Sequence, residues 1–377
     1  MVLLTAAGVA RLAAASPPRE VKSSVPRDQA AAEILSEVVL SQQPKRYIGW
    51  PTITRAANGD LLVVFSGDRD WHVCPWGKIF LTRSTDNGKT WSEAEVLVDT
   101  PLDDRDAGLT VLPDGTLVLA YTTSLAFDDA KIERYKPYRE HAASLTPEIR
   151  EKWKGTWIRT SKDNGKTWGP DLKAPTTTPH GPTALKNGSL IYVRPSVFAS
   201  PDQGKSWEQL ATIIRDPATW QSRYAFLSEQ NSVEAADGRI VSLSRYANKK
   251  GRPLDNRLRQ IESNDGGSTW TSPEPTKMVG YPAHILRLQN DWLVAVYSRR
   301  ISPLGERACI SRDGGKTWDT DREIILSNAV PQDAGDMGYP SSTQLPDGSI
   351  WTVYYQVEKS ADGHYPCLMA THWKPKP

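Results

Sequence analysis

The sequence predicts an all-β fold: a six-bladed β-propeller with four-stranded antiparallel blades and a small helical insertion in blade two. Three observations lead to this prediction: an octapeptide that recurs five times, a hairpin pattern that recurs six times, and an unusual composition. The chain has 14 Trp against 5 Phe and 4 Met, with 26 Gly and 28 Pro among 377 residues. Frequent turns, with Trp as the main large aromatic residue, are typical of an all-β chain in which Trp occupies a repeated position.

The octapeptide has the form Ser-x-Asp-x-Gly-x-(Thr/Ser)-Trp, and we call it the box. In each copy the Asp is expected to cap backbone amides, the Gly to take a positive φ, and the Trp to pack under the sheet. This pattern predicts a structural turn that joins the third and fourth strands of a blade. The copies begin at Ser84, Ser161, Ser200, Ser263 and Ser311.

Upstream of each box lies a hairpin signature, in which an Asn-Gly or Asp-Gly turn separates two alternating apolar runs. The turns fall at Gly59, Gly115, Gly188, Gly238, Asn290–Asp291 and Gly348. Their spacing of roughly 50–73 residues is typical of a propeller blade with four strands, so six hairpins predict six blades.

The sixth hairpin is followed by no box, so its blade needs an outer strand from elsewhere. The early segment Ile34–Leu40 is expected to pair there and close the ring, which leaves no open edge. Residues 34–377 are therefore predicted to form the propeller. Blade two has extra sequence over Phe127–Trp153, where Thr146, Pro147 and Glu148 are typical of the N-cap and first turn of a short helix.

Residues 1–33 are predicted to be an N-terminal tail, or a remnant of an export signal, followed by a linker. The first 16 residues end in small side chains that are typical of a signal-peptidase site, whereas Arg11 interrupts the apolar stretch. Export favours a secreted or periplasmic protein; a disordered tail would leave a cytoplasmic location open.

Charge and hydropathy exclude several classes of protein. With 46 Lys+Arg against 44 Asp+Glu, the net charge of +2 gives no basic stripe for nucleic acid. A mean hydropathy of −0.50, without a run of roughly 18 apolar residues, predicts no membrane span. The three cysteines have no metal-ligand spacing, and neither a metal nor another cofactor is expected. The sequence does not indicate an oligomeric state.

Strand direction predicts which residues face the mouth, the end of the ring opposite the hairpin turns. Residues about eight positions before and after each turn share that face, and inner strands converge on the axis. Several Arg with carboxylates and a Tyr in one concave mouth suit an anionic sugar, because guanidinium groups bind carboxylates bidentately. The set comprises Trp50, Asp68, Arg69, Asp70, Arg105, Asp106, His180, Arg194, Glu229, Arg245, Tyr281, His284, Arg299, Arg300, Tyr339 and Gln356.

The boxes and hairpins resemble the sialidase (neuraminidase) superfamily over roughly residues 34–373. The segment LSEQNSVEAADGRIVSLSR is similar to the strand pair that, in this family, carries the glutamate partner of the nucleophile and one carboxylate-binding Arg. The resemblance implies these roles for Glu229 and Arg245. Similarly, GYPSSTQLPDGSIWTVYY implies that Tyr339 is the nucleophile, and Arg307 is matched to a further carboxylate-binding Arg.

Two parts of the family pattern are changed. The Arg-Ile-Pro of the first strand is Gly49-Trp50-Pro51 here, so Arg46 or Arg69 would have to replace the missing Arg. The loop GDRDWHVCPWGK, where the family carries its acid/base Asp, offers Asp70 and His72 as catalytic candidates. His titrates near neutral pH and is suited to acid–base work.

In blade two, Arg105 and Asp106 point at the same mouth and are expected to bind substrate. The leading interpretation is an exo-acting glycoside hydrolase that removes a terminal acidic sugar from an acidic glycan or oligosaccharide. A polysaccharide lyase acting on uronates is a second interpretation, and it would release an unsaturated product that absorbs in the ultraviolet. A non-catalytic glycan-binding propeller is the third, and it would bind acidic glycans without turnover.

Overall fold

The chain folds into a closed ring of six β-sheets. The computed structural model describes residues 15–213, 225–248, 256–328, 336–357 and 365–377. Each sheet is an antiparallel meander, and its first strand contacts the first strands of the sheets on both sides, all the way round. The predicted six-bladed propeller with four-stranded blades is therefore confirmed.

In blades one to five the strands follow the chain in order, four to a blade. Blade one contains β3 (Tyr47–Arg55), β4 (Leu61–Arg69), β5 (Lys78–Ser84) and β6 (Glu95–Val98). Blade two contains β7 (Asp103–Val111), β8 (Leu117–Ser124), β9 (Gly155–Ser161) and β10 (Leu172–Ala174). Blade three contains β11 (Thr183–Ala184), β12 (Leu190–Tyr192), β13 (Ser196–Ser200) and β14 (Glu208–Thr212).

The remaining blades follow the same plan. Blade four contains β15 (Ala225–Glu234), β16 (Ile240–Asn248), β17 (Arg257–Ser263) and β18 (Glu274–Val279). Blade five contains β19 (Ala283–Arg287), β20 (Leu293–Arg299), β21 (Gly305–Ser311) and β22 (Ile324–Asn328), with a short 3-10 helix at Thr320–Arg322. Blade six contains β23 (Gly338–Gln344), β24 (Ile350–Val357) and β25 (Pro366–Pro375).

An N-terminal strand completes blade six. Strand β2 (Ala32–Ser41) pairs antiparallel with β25, so that Val38 lies opposite Ala370. The short β1 (Arg19–Glu20) adds a fifth strand outside β2. The prediction that Ile34–Leu40 closes the ring is confirmed, because β2 pairs along its length with β25 of blade six.

The five boxes join the third and fourth strands and pack against the preceding blade. In the first box Ser84 Oγ donates to Asp86 Oδ1 over 2.8 Å and accepts from the Gly88 amide, while Asp86 accepts from the amide and hydroxyl of Thr90. A Cβ on Gly88 would lie 2.5 Å from Trp351 Nε1 in blade six, so only glycine allows this approach. The same Ser–Asp–Gly bonds recur in the other four boxes.

The predicted insertion in blade two is helical and lies between β8 and β9. It comprises 3-10 helices at Ala126–Asp128 and Glu133–Tyr138, then α1 (Arg139–Ser144) and α2 (Pro147–Trp153). Thr146 caps α2 by accepting from the Ile149 amide over 3.3 Å. The insertion packs on Cys74 and Leu102, which flank the mouth ends of β4 and β7. No helix in the described part of the chain is long and apolar enough to span a bilayer.

Candidate active site at the mouth of the ring

One backbone irregularity recurs at the mouth end of the first strand in four blades. In blade one Gly49 pairs with Ser66 and Thr52 with Val64, so two residues of β3 face one residue of β4. This β-bulge is repeated in blades two, four and six. Bulges bend a strand and re-aim a side chain. The bulged residue has a positive φ each time: Trp50 (52°), Asp106 (56°), Glu229 (49°) and Tyr339 (51°).

Two of these bulges bring together the predicted nucleophile and its partner. The Tyr339 hydroxyl donates to Glu229 Oε1 over 2.5 Å, although the residues belong to blades six and four. Arg245 Nη1, from the strand next to Glu229, donates to both Glu229 oxygens at 2.9 and 3.0 Å. Tyr339 is 7% exposed, so its hydroxyl is held in a nearly dry position against one carboxylate.

Burial, followed by the charge of Glu229, raises the pKa of Tyr339 well above its usual value, while Arg300 opposes this rise. The hydroxyl is therefore neutral at ordinary pH, and Glu229 is positioned to accept its proton. Although burial lowers the pKa of Arg245, the charge of Glu229 raises it further, so this guanidinium stays cationic.

Arginines from three blades surround this pair. Arg300 follows β20 in blade five, with its guanidinium carbon 5.4 Å from the Tyr339 ring centre. Arg105 in blade two lies 4.4 Å above the Trp50 ring and is held by Asp106 at 3.2 Å. The buried Nε atoms of Arg245 and Arg300 have no hydrogen-bond partner among the described residues. Such a concentration of guanidinium groups favours an anionic ligand.

Two arginines predicted to bind substrate are buried and bonded within the protein, although Arg69 lies 4.9 Å from the Trp50 ring that also carries Arg105. Arg69 is fully buried, with Nη1 2.7 Å from Asp103 Oδ1 and Nη2 donating to the His72 carbonyl oxygen over 2.8 Å. Arg307, 2% exposed, donates to the carbonyl oxygens of Glu306 and Ser327, each over 2.9 Å. Both guanidinium groups therefore hold backbone in place, Arg69 beneath the His72 loop and Arg307 inside blade five.

Two further candidates lie at the edge of the mouth and are engaged with each other. Asp70 pairs with Arg46, which also binds Asp68 Oδ1 over 2.8 Å. Arg46 is thus tied to carboxylates of its own blade, as Arg69 is tied to Asp103. Trp50, which stands where the family has its first Arg, carries the guanidinium group of Arg105 on its ring instead.

His72 contacts a carboxylate that the sequence did not single out. Its Nδ1 lies 3.1 Å from Asp336 Oδ2. The same carboxylate accepts hydrogen bonds from the hydroxyls of Tyr47 at 2.9 Å and Tyr355 at 2.7 Å. Asp336 was missed because it precedes β23 without any motif, and its partners come from other parts of the chain.

The arrangement contains the groups for nucleophilic and acid–base chemistry on an anionic substrate. Tyr339 places a phenol against the Glu229 carboxylate, the arginines supply positive charge, and His72 supplies an imidazole beside Asp336. Within the described ranges no three His, Cys, Asp or Glu side chains are grouped as metal ligands would be.

Fold and repeats define the class of protein: a six-bladed propeller built from Asp-box repeats, with polar side chains on bulges around its mouth. The sequence model for the BNR repeat-like domain matches residues 141–352, and that for the BNR/Asp-box repeat matches residues 82–93. The chain belongs to the BNR repeat-like family, and it is a divergent, sialidase-like member.

Similar proteins agree with this assignment. The sialidase of Micromonospora viridifaciens is 23% identical over 354 residues, covering 81% of this chain and 49% of the relative. The chain thus spans about half the length of this curated relative. A protein of unknown function from Dyadobacter fermentans has a TM-score of 0.73 at 23% identity, covering 92% of this chain and all of the other. The NanB sialidase of Streptococcus pneumoniae has a TM-score of 0.60 at 14% identity, covering 94% and 70%.

Proposed function

We propose that the protein is an exo-acting glycoside hydrolase that releases a terminal acidic sugar, sialic acid or a related ulosonic or uronic acid. The observation that carries this proposal is the 2.5 Å hydrogen bond from Tyr339 to Glu229, surrounded by Arg105, Arg245 and Arg300. The proposal assigns the roles of nucleophile and base to the first two residues and carboxylate binding to the arginines.

The charge of the substrate explains the choice of a tyrosine nucleophile. A sugar derived from a 2-keto acid carries its carboxylate on the anomeric carbon, and this carboxylate would repel an Asp or Glu nucleophile. A neutral phenol avoids the repulsion, and sialidases with a Tyr nucleophile are the recognised exception to the use of two carboxylates. Tyr339 is held neutral by burial, as the rise of its pKa indicates.

We assign carboxylate recognition to the arginines whose guanidinium N–H groups are not all bonded within the protein. Arg245 uses Nη1 for Glu229, and Arg300 uses Nη2 for the Met337 carbonyl oxygen, so the other Nη of each is assigned to the ligand. Hydrogen bonds to charged groups contribute about 1.5–3 kcal/mol, so a carboxylate that accepts from these groups is stabilised. Arg105, anchored by Asp106, would complete the positive side of the pocket.

The test is hydrolysis of aryl glycosides of sialic, other ulosonic and uronic acids by the wild-type protein and by Tyr339→Phe. We expect turnover of at least one acidic glycoside, little turnover of its carboxylate-reduced analogue, and a loss of roughly 10³-fold in kcat for the variant. Tyr192→Phe is the matched control, because Tyr192 is fully buried and its hydroxyl has no described partner.

Three results would contradict the proposal in different ways. Near-full activity of Tyr339→Phe would remove the tyrosine mechanism. Release of an unsaturated product absorbing in the ultraviolet would favour elimination from a uronate. Binding of acidic glycans without turnover of any substrate would favour the glycan-binding alternative.

A further inference from the structure

We propose that Asp336 and His72 act as one proton-transfer pair, in which Asp336 positions the imidazole and His72 Nε2 exchanges a proton with the leaving group. This inference rests on the proposed function and adds a positioning residue to it. It places Tyr339 and Glu229 on one side of the reacting carbon, and His72 and Asp336 on the other.

Three donors fix the Asp336 carboxylate. Its Oδ2 accepts from Tyr47 over 2.9 Å and faces His72 Nδ1 at 3.1 Å, and its Oδ1 accepts from Tyr355 over 2.7 Å. Burial raises the pKa of Asp336, but hydrogen bonds from His72, Tyr355 and Tyr47 and the charge of His72 outweigh it and lower the pKa to about 2. The carboxylate is ionised, so it can only accept, and it selects the imidazole form that carries a proton on Nδ1.

The other ring nitrogen of His72 is thereby left to face the mouth. Arg105 Nη2 lies 3.4 Å from His72 Nε2 and can only donate, so Nε2 accepts from this guanidinium group in the unliganded protein and becomes free for the leaving group once Arg105 turns to the anionic ligand. The imidazole also packs edge-on against the Trp50 ring, with centroids 4.9 Å apart. Tyr339 meets the same indole at 6.4 Å, so the imidazole and the phenol flank one aromatic ring.

The groups that surround the imidazole come from three blades. Tyr47 and Trp50 lie on β3, Arg105 on β7, and Asp336 just before β23. Arg69 on β4 holds the His72 carbonyl oxygen, which fixes the backbone of the loop. Asp336 is therefore the sole carboxylate that contacts the ring among the described residues, and the side chains of the pair remain 39% and 36% exposed to the mouth.

The reaction balances with this assignment. In the first step the Tyr339 oxygen bonds to the anomeric carbon and passes its proton to Glu229, while the bond to the leaving oxygen breaks and that oxygen takes the Nε2 proton of His72. In the second step Nε2 takes a proton from water, the resulting hydroxide bonds to the anomeric carbon, and the Tyr339 oxygen leaves and recovers its proton from Glu229. Asp336 keeps the Nδ1 proton in place throughout.

Asp336→Asn tests the pair with two substrates of the same acidic sugar. For an alkyl or oligosaccharide glycoside, whose leaving oxygen needs a proton, we expect kcat/KM to fall by about 100-fold or more. For a nitrophenyl glycoside, whose leaving group departs as an anion, the fall should stay within about threefold. Tyr355→Phe removes a donor to Asp336 but keeps the carboxylate, and should show a much smaller split between the substrates.

The pH profile and a double variant separate positioning from a general structural role. The basic limb of the kcat/KM profile should move to lower pH in Asp336→Asn, because the variant no longer stabilises the protonated imidazole. The double variant His72→Ala/Asp336→Asn should be no slower than His72→Ala alone. Equal losses on both substrates, with an unchanged pH profile, would overturn the proposal.

Nitrogen-15 NMR of the His72 side chain provides a readout that does not depend on activity. We expect the neutral imidazole of the wild-type protein to carry its proton on Nδ1, and Asp336→Asn to yield a mixture of the two forms. A mixture already present in the wild-type protein contradicts the pair. Inactivity of the wild-type protein on every acidic glycoside, with Nδ1 protonated, contradicts the proposed function instead.

Discussion

The boxes and the mouth bulges use the same backbone conformation for opposite purposes. The residue before each box glycine has a positive φ, and it is Asn87, Asn164 and Gln203 in three blades and glycine in the other two, at Gly266 and Gly314. The bulged residues of the mouth have nearly the same φ, yet none of the four is a glycine or an asparagine.

This difference indicates which left-handed positions need a particular side chain. Left-handed geometry costs an ordinary residue about 1–2 kcal/mol, and glycine or asparagine escapes much of that cost. Four of the five box positions hold these residue types, and Gln203 is the exception. The mouth keeps Trp50, Glu229 and Tyr339 despite the strain, which is the pattern expected where side-chain identity is required.

The largest loss of activity should come from a substitution at the mouth, and the stability of the fold should change little. Glu229→Gln is expected to lower kcat by roughly 10³-fold, because the amide cannot take the Tyr339 proton, while the melting temperature changes little. The double variant with Tyr339→Phe should lose little more, since the two residues act as one unit. Steady-state kinetics with thermal melts checks both; additive losses would show that the residues act separately.

Replacing the Trp of a box should lower the stability of the fold and leave ligand binding unchanged. Trp91 is 3% exposed and packs edge-on against Trp351 of blade six, with centroids 6.3 Å apart. Trp91→Ala is expected to lower the free energy of unfolding by about 3–5 kcal/mol, while KM of the folded protein is unchanged. Trp318→Ala, in a box whose Trp is only partly buried, should cost less. Selective loss of ligand binding in either variant would break the division between the two ends of the ring.

Blades three and five, whose described first strands pair in register, contribute a pair of His side chains instead of a bulge, with His180 buried and His284 half-buried. The rings of His180 and His284 lie 5.1 Å apart, and burial lowers the pKa of both, that of His284 to about 4. The unfolded chain takes up these protons near pH 6.5, before the folded protein does.

Stability should therefore be greatest above about pH 7.5 and decline as the pH falls towards 4, by on the order of 3 kcal/mol from His284 alone. Denaturant unfolding across this range measures the decline. His284→Gln should flatten the profile, and an equally steep profile in that variant would assign the acid sensitivity to other groups.

The smallest change in stability should come from relieving the positive φ at one residue of one box. Gln203→Gly places in blade three the residue that blades four and five already have at this position. Relief of the positive φ should raise the free energy of unfolding by about 0.5–1 kcal/mol, partly offset by loss of the exposed bond from Gln203 to Asp114. The matched change at the mouth, Asp106→Gly, should weaken ligand binding because Arg105 loses its anchor.

What the sequence could predict depended on whether the signal was local. The boxes and hairpins are complete within about ten residues, so the blades, the ring closure and the insertion were predicted correctly. Glu229 and Tyr339 were placed by a fixed distance from their hairpin turns, since each stands eight residues before the turn Asp. The bulge itself, which aims them at one another, was not foreseen.

The remaining site residues acquire their roles only through distant partners. Arg307 lies on the third strand of blade five, where a side chain meets backbone carbonyls of the blade, whereas Arg300 follows the second strand and reaches the mouth. Asp336 gains its function from Tyr47, Tyr355 and His72, which belong to other strands and loops. No spacing rule connects these positions.

The pairing of β2 with β25 determines when β2 can find its partner during synthesis. Strand β2 (Ala32–Ser41) leaves the ribosome more than 300 residues before β25 (Pro366–Pro375), and at roughly 5–20 residues per second the interval is on the order of tens of seconds. Through that time β2 presents an unpaired edge with apolar Ile34 and Val38. A nascent chain with such an edge is prone to pair with its neighbours on a polysome. The strand that seals the finished ring is thus the one that waits longest for its partner while the ring is being made.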